Sequence, residues 1–482
     1  MNAQEIDKQR DGRTHGLTIK ISSLSLFSEI PGPWPSFPLV GTNWQYWGQK
    51  QDLFQLHKAF EHKLLKYGPI CKEEYQYRRP VVHLFHAESF PALFRSQGSC
   101  PIRPPNEFVC KYRREHPEKY SGVGLSNALG EEWRSMRLAL APVLRQMSAI
   151  HTKDMLDIQT EICDDWVRHL QESAQDGVVA DIQELLYMLA LESIFALCLE
   201  KRLGCFEGNP RAREMVQATK DLFECYQKLY YGSPLWKKVP TKPYLDFCKA
   251  EETVYRITED FLREASATES QSRVLRALTT LPNFDWKDVQ LTAMDFIVGG
   301  VFTITQSMAF LIHQIAINKR VQDKLVRTLR NAPIPATDPY LKACMKETFR
   351  ISPTVPGVMR VLPEDTVLCD YHVPAGTAVF ANSLIACRNE ETFHRASEFI
   401  PERWLDGRPQ FPFALLPFGF GARMCPGRHF AELEMCSAVA SLLKKFEISS
   451  PMEQIPVKCI FVIAPEGEVP IEIQPRGNDG PD

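Results

Sequence analysis

The chain has 482 residues and a formal net charge of −3, and hydrophobic residues make up 44% of it. This is an ordinary globular composition, and the small net charge gives no reason to expect a nucleic-acid partner. The fourteen cysteines are scattered singly without a Cys-x-x-Cys pair, which is typical of free thiols in a reducing compartment.

The N-terminal segment combines basic and acidic residues. A mitochondrial targeting segment is basic and poor in acids, so residues 1–28 are an ambiguous leader of that kind. The stretch "EIPGPWPSFPLVG" holds four prolines, which predict an extended linker over residues 29–41. We expect one domain over residues 42–475 and a short tail over 476–482. No window has the roughly 18 consecutive apolar residues that a membrane span needs.

The hydrophobic periodicity predicts a mainly α fold with a minor β portion. Helices are predicted at Gln55–Tyr67, Glu131–Leu144, Asp154–Leu170, Ile182–Leu199, Ala212–Leu229, Tyr244–Ala265, Asp288–Ile317, Tyr340–Arg350 and Ala431–Phe446. Strands are predicted at Val81–Phe85, in a hairpin over Thr366–Ser383 that turns at Pro374–Gly376, and in a last pair, Val457–Ile463 with Val469–Ile473.

Two pairs of residues are spaced to share one face of a helix. Trp133 and Arg137 lie at i and i+4, and Glu347 and Arg350 lie at i and i+3. An i,i+3 ion pair usually lies on the surface, where it contributes little. Arg403, in "FIPERW", is a candidate third member of the second group.

One long apolar helix carries two adjacent glycines and a threonine. In "MDFIVGGVFTITQSMAFLI", Gly299 and Gly300 would open a groove beside the helix, and Thr303 would place a hydroxyl next to it. Taken alone, Thr303 could equally be a β-branched core residue.

The loop "LPFGFGARMCPGRHFAELEM" places Cys425 between Gly421 and Gly427, just before a predicted helix. A lone cysteine is commonly a small buried residue. A nucleophilic thiol would need a histidine nearby in space, and a zinc site would need more ligands than His429 alone.

The pattern Phe418-x-x-Gly421-x-Arg423-x-Cys425-x-Gly427 resembles the haem-binding loop of the cytochrome P-450 superfamily of haem-thiolate monooxygenases. The resemblance covers residues 30–475. It implies one haem domain, with haem b as cofactor, dioxygen as co-substrate and the Cys425 thiolate as the iron ligand.

The same resemblance implies roles for the other motifs. The residues expected to bind the cofactor are Cys425, Trp133, Arg137, Arg360, Phe418, Gly421, Arg423 and Gly427. Thr303, Gly299 and Gly300 would form the dioxygen site. Glu347, Arg350 and Arg403 would form a buried structural cluster whose charges need further hydrogen bonds.

The dioxygen helix departs from the family pattern, because Phe302 stands where members carry an acid before the threonine. Cleavage of dioxygen needs protons, which is a general-acid task. Water with Thr303 or Thr305 could supply them, or an acid from elsewhere, or the protein could turn over only peroxides. We expect monooxygenation with a modified proton route.

Basic residues near the cysteine loop resemble those of the mitochondrial class. Lys342 and Lys346, at i and i+4, would form with Arg428 a docking patch for an adrenodoxin-like ferredoxin that receives electrons from NADPH through a reductase. Two lysines on one face are otherwise simply a solvated helix face. The class implies a mitochondrial location, on the matrix side of the inner membrane, with peripheral membrane association.

The segment from Arg103 to Arg137 resembles the corresponding region of the ecdysone 20-hydroxylases of arthropods. This predicts an ecdysteroid substrate and an apolar pocket with few polar anchors. The candidate lining residues are Phe108, Val109, Ile297, Val301, Phe302 and Val355. The alternatives are a mitochondrial hydroxylase of broad range that metabolises foreign compounds, and a haem protein without turnover.

Overall fold

The computed structural model describes residues 24–46, 52–76, 78–148, 153–199, 202–267, 273–282, 284–405, 407 and 410–477. Within these ranges the chain is mainly helical. The helices are α1 Leu56–Tyr67, α2 Phe90–Arg95, α3 Glu107–Glu115, α4 Gly130–Ala139, α5 Ala141–Ser148, α6 Lys153–Ser173, α7 Ile182–Leu199, α8 Pro210–Tyr231, α9 Lys242–Ser266, α10 Arg273–Thr279, α11 Trp286–Ile317, α12 Lys319–Arg330, α13 Pro339–Ile351, α14 Ser383–Cys387 and α15 Arg428–Lys445.

The strands are short and form four small sheets among the described residues. They are β1 Ile70–Gln76, β2 Arg79–Leu84, β3 Val178–Val179, β4 Val358–Val361, β5 Thr366–Leu368, β6 Tyr371–Val373, β7 Ala378–Ala381, β8 Phe446–Ser449, β9 Val457–Ile460, β10 Val462–Pro465 and β11 Ile471–Pro475. The largest sheet has the order β1-β2-β7-β4, in which only the β2–β7 pair is parallel, with Val81 opposite Ala378. The predicted fold class is confirmed.

Helix α11 is the central element of the helical part. It begins with a capping box, in which the side chains of Asp285 and Asp288 each accept a hydrogen bond from the other's backbone N–H. It packs against α7, α8, α9, α13 and α15. Among the described residues it alone is long and apolar enough to cross a membrane, but 78% of its most apolar window is buried inside the protein.

Two strand pairings differ from the predictions. The hairpin turns at Cys369 and Asp370, both with positive φ, and joins β5 to β6, while β7 belongs to the large sheet. The chain does turn at Pro374–Gly376, where the N–H of Thr377 donates to the carbonyl of Pro374 at 3.3 Å. The prediction that this turn closes a hairpin was wrong, because β6 and β7 do not pair. The last predicted pair was also wrong, because β9 pairs with β10 across Phe461, and β11 pairs with β8 and β3.

The helix predicted over Glu131–Leu144 is divided in two. Helix α4 ends at Ala139, and α5 begins at Ala141 after the cap residue Leu140. This break leaves Trp133 and Arg137 together on α4. The proline-rich segment packs on β1, where the backbone N–H of Lys72 donates to the carbonyl of Pro31 at 2.8 Å.

Candidate functional site

The cysteine loop is closed by its own backbone. The N–H of Cys425 donates to the carbonyl of Phe418 at 2.8 Å, and Gly421 has φ +70°, a conformation that favours glycine. The Phe418 ring packs edge-on against Phe349 of α13, with centroids 5.6 Å apart. Gly427 is the N-cap of α15, with an ordinary φ of −85°. The loop therefore holds the thiol just ahead of a helix N-terminus.

Cys425 differs from the other thirteen cysteines because it alone is exposed. Burial nevertheless raises the pKa of its thiol, against the lowering effect of the backbone N–H groups of Gly427 and Arg428 and the charge of Arg137. A thiol that is surrounded by protein and still accessible faces an enclosed space rather than bulk solvent. Nearby N–H groups and positive charge favour the thiolate form.

Four arginines form a group that is here called the arginine cluster: Arg103, Arg137, Arg360 and Arg423. Arg103 and Arg137 lie near the Cys425 thiol, and Arg360 and Arg423 lie near Arg103. Burial lowers the pKa of all four, and repulsion from the other guanidinium groups adds to the effect for Arg360 and Arg423, whose pKa values fall to about 10. Among the described residues none of them forms a salt bridge with a carboxylate. The cluster is an excess of positive charge without a protein counter-ion.

The hydrogen bonds of the cluster go to backbone carbonyls. Arg423 donates to Pro101 and Ala128 at 3.0 and 2.8 Å, and Arg360 donates to Met359 at 2.8 Å. The Arg423 guanidinium also lies over the buried ring of Trp133, 4.1 Å from its centroid. These contacts fix the positions of the cations without neutralising them.

Haem b fits this set of donors. Arg360 is 3% exposed, whereas Arg137 and Arg423 are partly accessible and Arg103 is exposed. Unpaired cations held this close together repel one another, so the cluster predicts an anionic ligand. The two propionates of haem b and a Cys425 thiolate would bring three negative charges to the same region. The sequence predicted Arg137, Arg360 and Arg423 as haem-binding residues but not Arg103. Arg103 precedes α3, in the segment from which only the substrate was predicted.

The glycine–threonine face of α11 is open. Gly299 is exposed in the middle of a buried helix, and Gly300 and Thr303 are partly accessible. The Thr303 hydroxyl donates to the carbonyl of Gly299 at 2.8 Å. Its oxygen keeps acceptor capacity toward this open face. Thr305 is fully buried and bonded to Val301 and Leu186, so it lies away from the accessible face.

Phe302 lies on another side of the same helix. Its side chain is 1% exposed, and its ring lies 4.1 Å from the ring of Phe223 on α8 and 5.8 Å from that of Tyr187 on α7. The prediction that Phe302 lines a substrate pocket was therefore wrong. The same is true of Phe108, Val109, Ile297 and Val301, each at most 2% exposed, whereas Val355 is 36% exposed.

Glu347, Arg350 and Arg403 lie together in one group, in which Glu347 and Arg350 are fully buried and Arg403 is partly exposed. Arg350 donates to both Glu347 carboxylate oxygens, at 2.8 and 3.0 Å, and Arg403 donates to Oε1 at 3.0 Å. The Trp404 indole and the Ile400 N–H complete the carboxylate's partners, at 2.8 and 3.0 Å. Arg350 also donates to three carbonyls, so each charge has several partners.

The predicted docking residues lie on the neighbouring helices α13 and α15. Lys342 and Lys346 are exposed and have no carboxylate partner among the described residues. Arg428 is different, because its guanidinium donates to Glu432 at 2.8 Å and lies over the Phe418 ring. The patch therefore has two free charges and one that is already paired.

An accessible thiol near a helix N-terminus, with clustered cations beside it, fits the thiolate iron ligand of a haem-thiolate oxygenase. The family model "Cytochrome P450" matches residues 31–468. The chain therefore belongs to the cytochrome P450 family and is a monooxygenase. Membership implies haem as the cofactor and dioxygen as the co-substrate.

Curated relatives match over most of their length. The chain is 28% identical to "Ecdysone 20-monooxygenase" of Drosophila melanogaster, over 93% of this chain and 88% of that protein. It is 30% identical to "Cytochrome P450 302a1, mitochondrial" of the same organism, over 93% and 96%. It is 28% identical to "Probable cytochrome P450 12b2, mitochondrial", also of Drosophila melanogaster, over 94% and 90%.

Proposed function

We propose that this monooxygenase hydroxylates a steroid, and that its substrate is ecdysone, converted to 20-hydroxyecdysone. The observation that carries the proposal is the similarity to the Drosophila ecdysone 20-monooxygenase over 93% of the chain. The resemblance of the segment from Arg103 to Arg137 to the corresponding region of the ecdysone 20-hydroxylases also supports it.

The proposed haem ligands are those of the cysteine loop and the arginine cluster. Cys425 would bind iron, and Arg103, Arg137, Arg360 and Arg423 would hold the propionates, with Trp133 fixing Arg423 from beneath. When bound, a haem with a thiolate ligand supplies the electron density that favours cleavage of dioxygen. The reaction joins one oxygen atom to a substrate carbon and reduces the other to water with two electrons and two protons.

Thr303 is the residue we propose for proton handling. Its hydroxyl donates to Gly299, so its oxygen can accept a hydrogen bond from water on the accessible face of α11. Phe302 and the fully buried Thr305 offer no route to that face. The protons therefore reach Thr303 through water on the Gly299–Gly300 side.

Glu347, Arg350 and Arg403 have a structural role in this proposal. Their hydrogen bonds join α13 to the segment 394–404, which leads into the cysteine loop. Arg350 thereby fixes the position of α13, from which Phe349 contacts Phe418. The cluster positions the iron ligand and takes no part in the chemistry.

The electron donor in this proposal is an adrenodoxin-like ferredoxin reduced by NADPH through a reductase. The mitochondrial relatives and the two unpaired lysines, Lys342 and Lys346, support an acidic partner. The names of these relatives also support a mitochondrial location, which we assign to the matrix side of the inner membrane.

Peripheral membrane association has support in exposed apolar side chains. Trp34 and Leu39 in the proline-rich segment, and Leu235 and Val239 between α8 and α9, are each more than half exposed. The Asn43 amide donates to the carbonyl of Tyr231 at 2.8 Å and so holds the two segments together. Exposed apolar side chains on two segments that are joined in this way favour contact with a lipid surface.

The proposed function is tested by turnover. Haem-loaded protein with ferredoxin, reductase, NADPH and dioxygen should convert ecdysone to a product one oxygen heavier, identified by mass spectrometry. Hydroxylation of varied apolar compounds but not of ecdysone would contradict the substrate. Turnover of a hydroperoxide alone would contradict the monooxygenase reaction with the modified proton route.

A further inference from the structure

Ser307 and Thr354 form a buried hydroxyl pair beside the open face of α11. Their oxygens are 2.7 Å apart, and the two residues are 8% and 4% exposed. The Ser307 hydroxyl donates its single hydrogen to the carbonyl of Thr303 at 2.8 Å. Thr354 is therefore the donor to Ser307, and the chain of hydrogen bonds has a defined direction.

The pair joins three separate elements. Ser307 lies on α11, one turn after Thr303, and Thr354 lies in the loop between α13 and β4. The carbonyl of Thr354 accepts the N–H of Ile463 on β10 at 2.8 Å. On the other side of the loop, the carbonyl of Pro356 accepts the N–H of Leu384 on α14 at 2.9 Å. Thr354 is thus a junction between α11, the loop and the last hairpin.

Val355 directly follows Thr354, and its side chain is exposed. It is the one residue of the predicted pocket lining that has substantial exposed surface, and it is held between the bonds of Thr354 and Pro356. Thr354 bonds to Ser307, one turn from Thr303, so the adjacent Val355 lies beside α11 with its side chain 36% exposed. The Ser307–Thr354 bond joins the Val355 loop to α11.

We propose that the Ser307–Thr354 pair is a positioning device for the substrate, which sets the distance between the Val355 wall and α11. This inference rests on the proposed function, because the wall would then select which substrate carbon lies beside the reaction site. Both residues are positioning residues, since neither has an accessible polar group for the substrate. A hydroxyl pair suits this task because its bond is short, directional and shielded from water.

The first measurement needs no substrate. We expect Thr354→Val and Ser307→Ala to speed amide hydrogen exchange over residues 354–358 and at Ile463, and Thr354→Ser to restore protection. The matched control is Thr219→Val on α8, a buried threonine whose hydroxyl bonds, among the described residues, only within its own helix. Unchanged exchange in both variants would overturn the inference.

The second measurement uses two haem ligands of different size. The absorption spectrum gives the dissociation constants of imidazole and 4-phenylimidazole, and only the phenyl group reaches beyond the haem iron toward the wall. We expect Thr354→Val and Ser307→Ala to weaken binding of 4-phenylimidazole several-fold, because the wall is no longer held at a fixed distance, and to leave binding of imidazole unchanged. Faster exchange with an unchanged ratio of the two constants would overturn the positioning role.

The two proposals fail separately. If wild-type protein does not turn over ecdysone, the substrate proposal fails, while the ratio of the two imidazole constants still tests the pair. If ecdysone is turned over, Thr354→Val should also change the ratio of hydroxylated products, and Thr219→Val should not.

Discussion

The ring of Phe302 on α11 stacks on the ring of Phe223 on α8, with centroids 4.1 Å apart and planes 11° from parallel. The position that carries an acid in the family pattern is therefore part of an apolar contact between two helices. Its side chain faces protein, so an acid at this position would not have water beside it.

Phe302→Asp should destabilise the protein rather than repair the proton route. It removes the stacked ring and buries a carboxyl group, at a cost of about 3–5 kcal/mol in the free energy of unfolding. Urea unfolding of the haem-loaded protein measures this, with Phe302→Leu as the control that keeps the site apolar. A stable Phe302→Asp variant that leaks less hydrogen peroxide would show instead that water reaches this position.

Removing one member of the arginine cluster should have opposite effects on two properties. Arg103→Gln relieves the repulsion on Arg360 and Arg423, so the melting temperature of haem-free protein should rise. The same change should speed the loss of haem to a haem acceptor, because one cation opposite the propionates is gone. Lys346→Gln, on the surface, should change neither property. A lower melting temperature of the haem-free protein together with faster haem loss would contradict the assignment of Arg103.

Substitution of the buried Glu347 should destabilise the protein more than substitution of Arg403, which lies at the edge of the same cluster. Glu347→Gln leaves Arg350 buried without a counter-charge, which should cost about 3–5 kcal/mol of stability. Arg403→Gln should cost less, because the Arg403 side chain is partly exposed and Arg350 remains paired. Equal losses in chemical denaturation would contradict this ranking.

Glu434 on α15 gives a prediction about pH. Burial raises the pKa of its carboxyl well above the usual range, and the nearby Ser193 hydroxyl opposes this only in part. The folded state therefore holds a proton that the unfolded chain releases above pH of about 4.3. The stability contributed by this group is present below that pH and is lost as the pH rises toward the folded-state pKa.

Glu434→Gln should remove this pH dependence. Its gain in stability over wild type should be near zero at pH 4 and should grow by up to about 1.4 kcal/mol per pH unit above the unfolded-state pKa. Urea unfolding of both proteins at pH 4, 5, 6 and 7 tests this. A difference that is constant across the four values would show that Glu434 is ionised in the folded state.

The docking patch should depend more on α13 than on α15. Lys342→Gln or Lys346→Gln should raise the KM for ferredoxin several-fold at low salt and less at high salt, since exposed charges are screened. Arg428→Gln should have a smaller effect, because Glu432 already pairs with that guanidinium. Equal increases in the KM for ferredoxin in all three variants would show that the pairing of Arg428 with Glu432 does not reduce its contribution to docking.

Long elements with strong periodicity were predictable from the sequence. The bounds predicted for α7, Ile182–Leu199, are those of the structure. Helix α12 was missed because only Val321, Gln322 and Leu325 are buried in a strongly charged segment. The hairpin turn was missed because the sequence favoured the proline and glycine at 374–376, whereas two non-glycine residues with positive φ make the turn.

The site was only partly predictable for a related reason. The cysteine loop is a compact motif, so its residues stand together in sequence and can be recognised there. Arg103 becomes significant only when three distant arginines are brought beside it, and the sequence carries no local sign of that. The orientation of Phe302 depends on Phe223 and Tyr187, which are far from it along the chain.

The parallel pairing of β2 with β7 has a consequence for synthesis of the protein. Val81 finds its partner only when Ala378 has been made, so most of the helical part is translated while the edge of β2 lacks its neighbour. An unpaired strand edge invites pairing with other chains. A ribosome-bound chain should therefore be most prone to aggregation and most dependent on chaperones just before residue 378 emerges, and a chain stalled only after the whole of β7 has left the ribosome should be markedly less so.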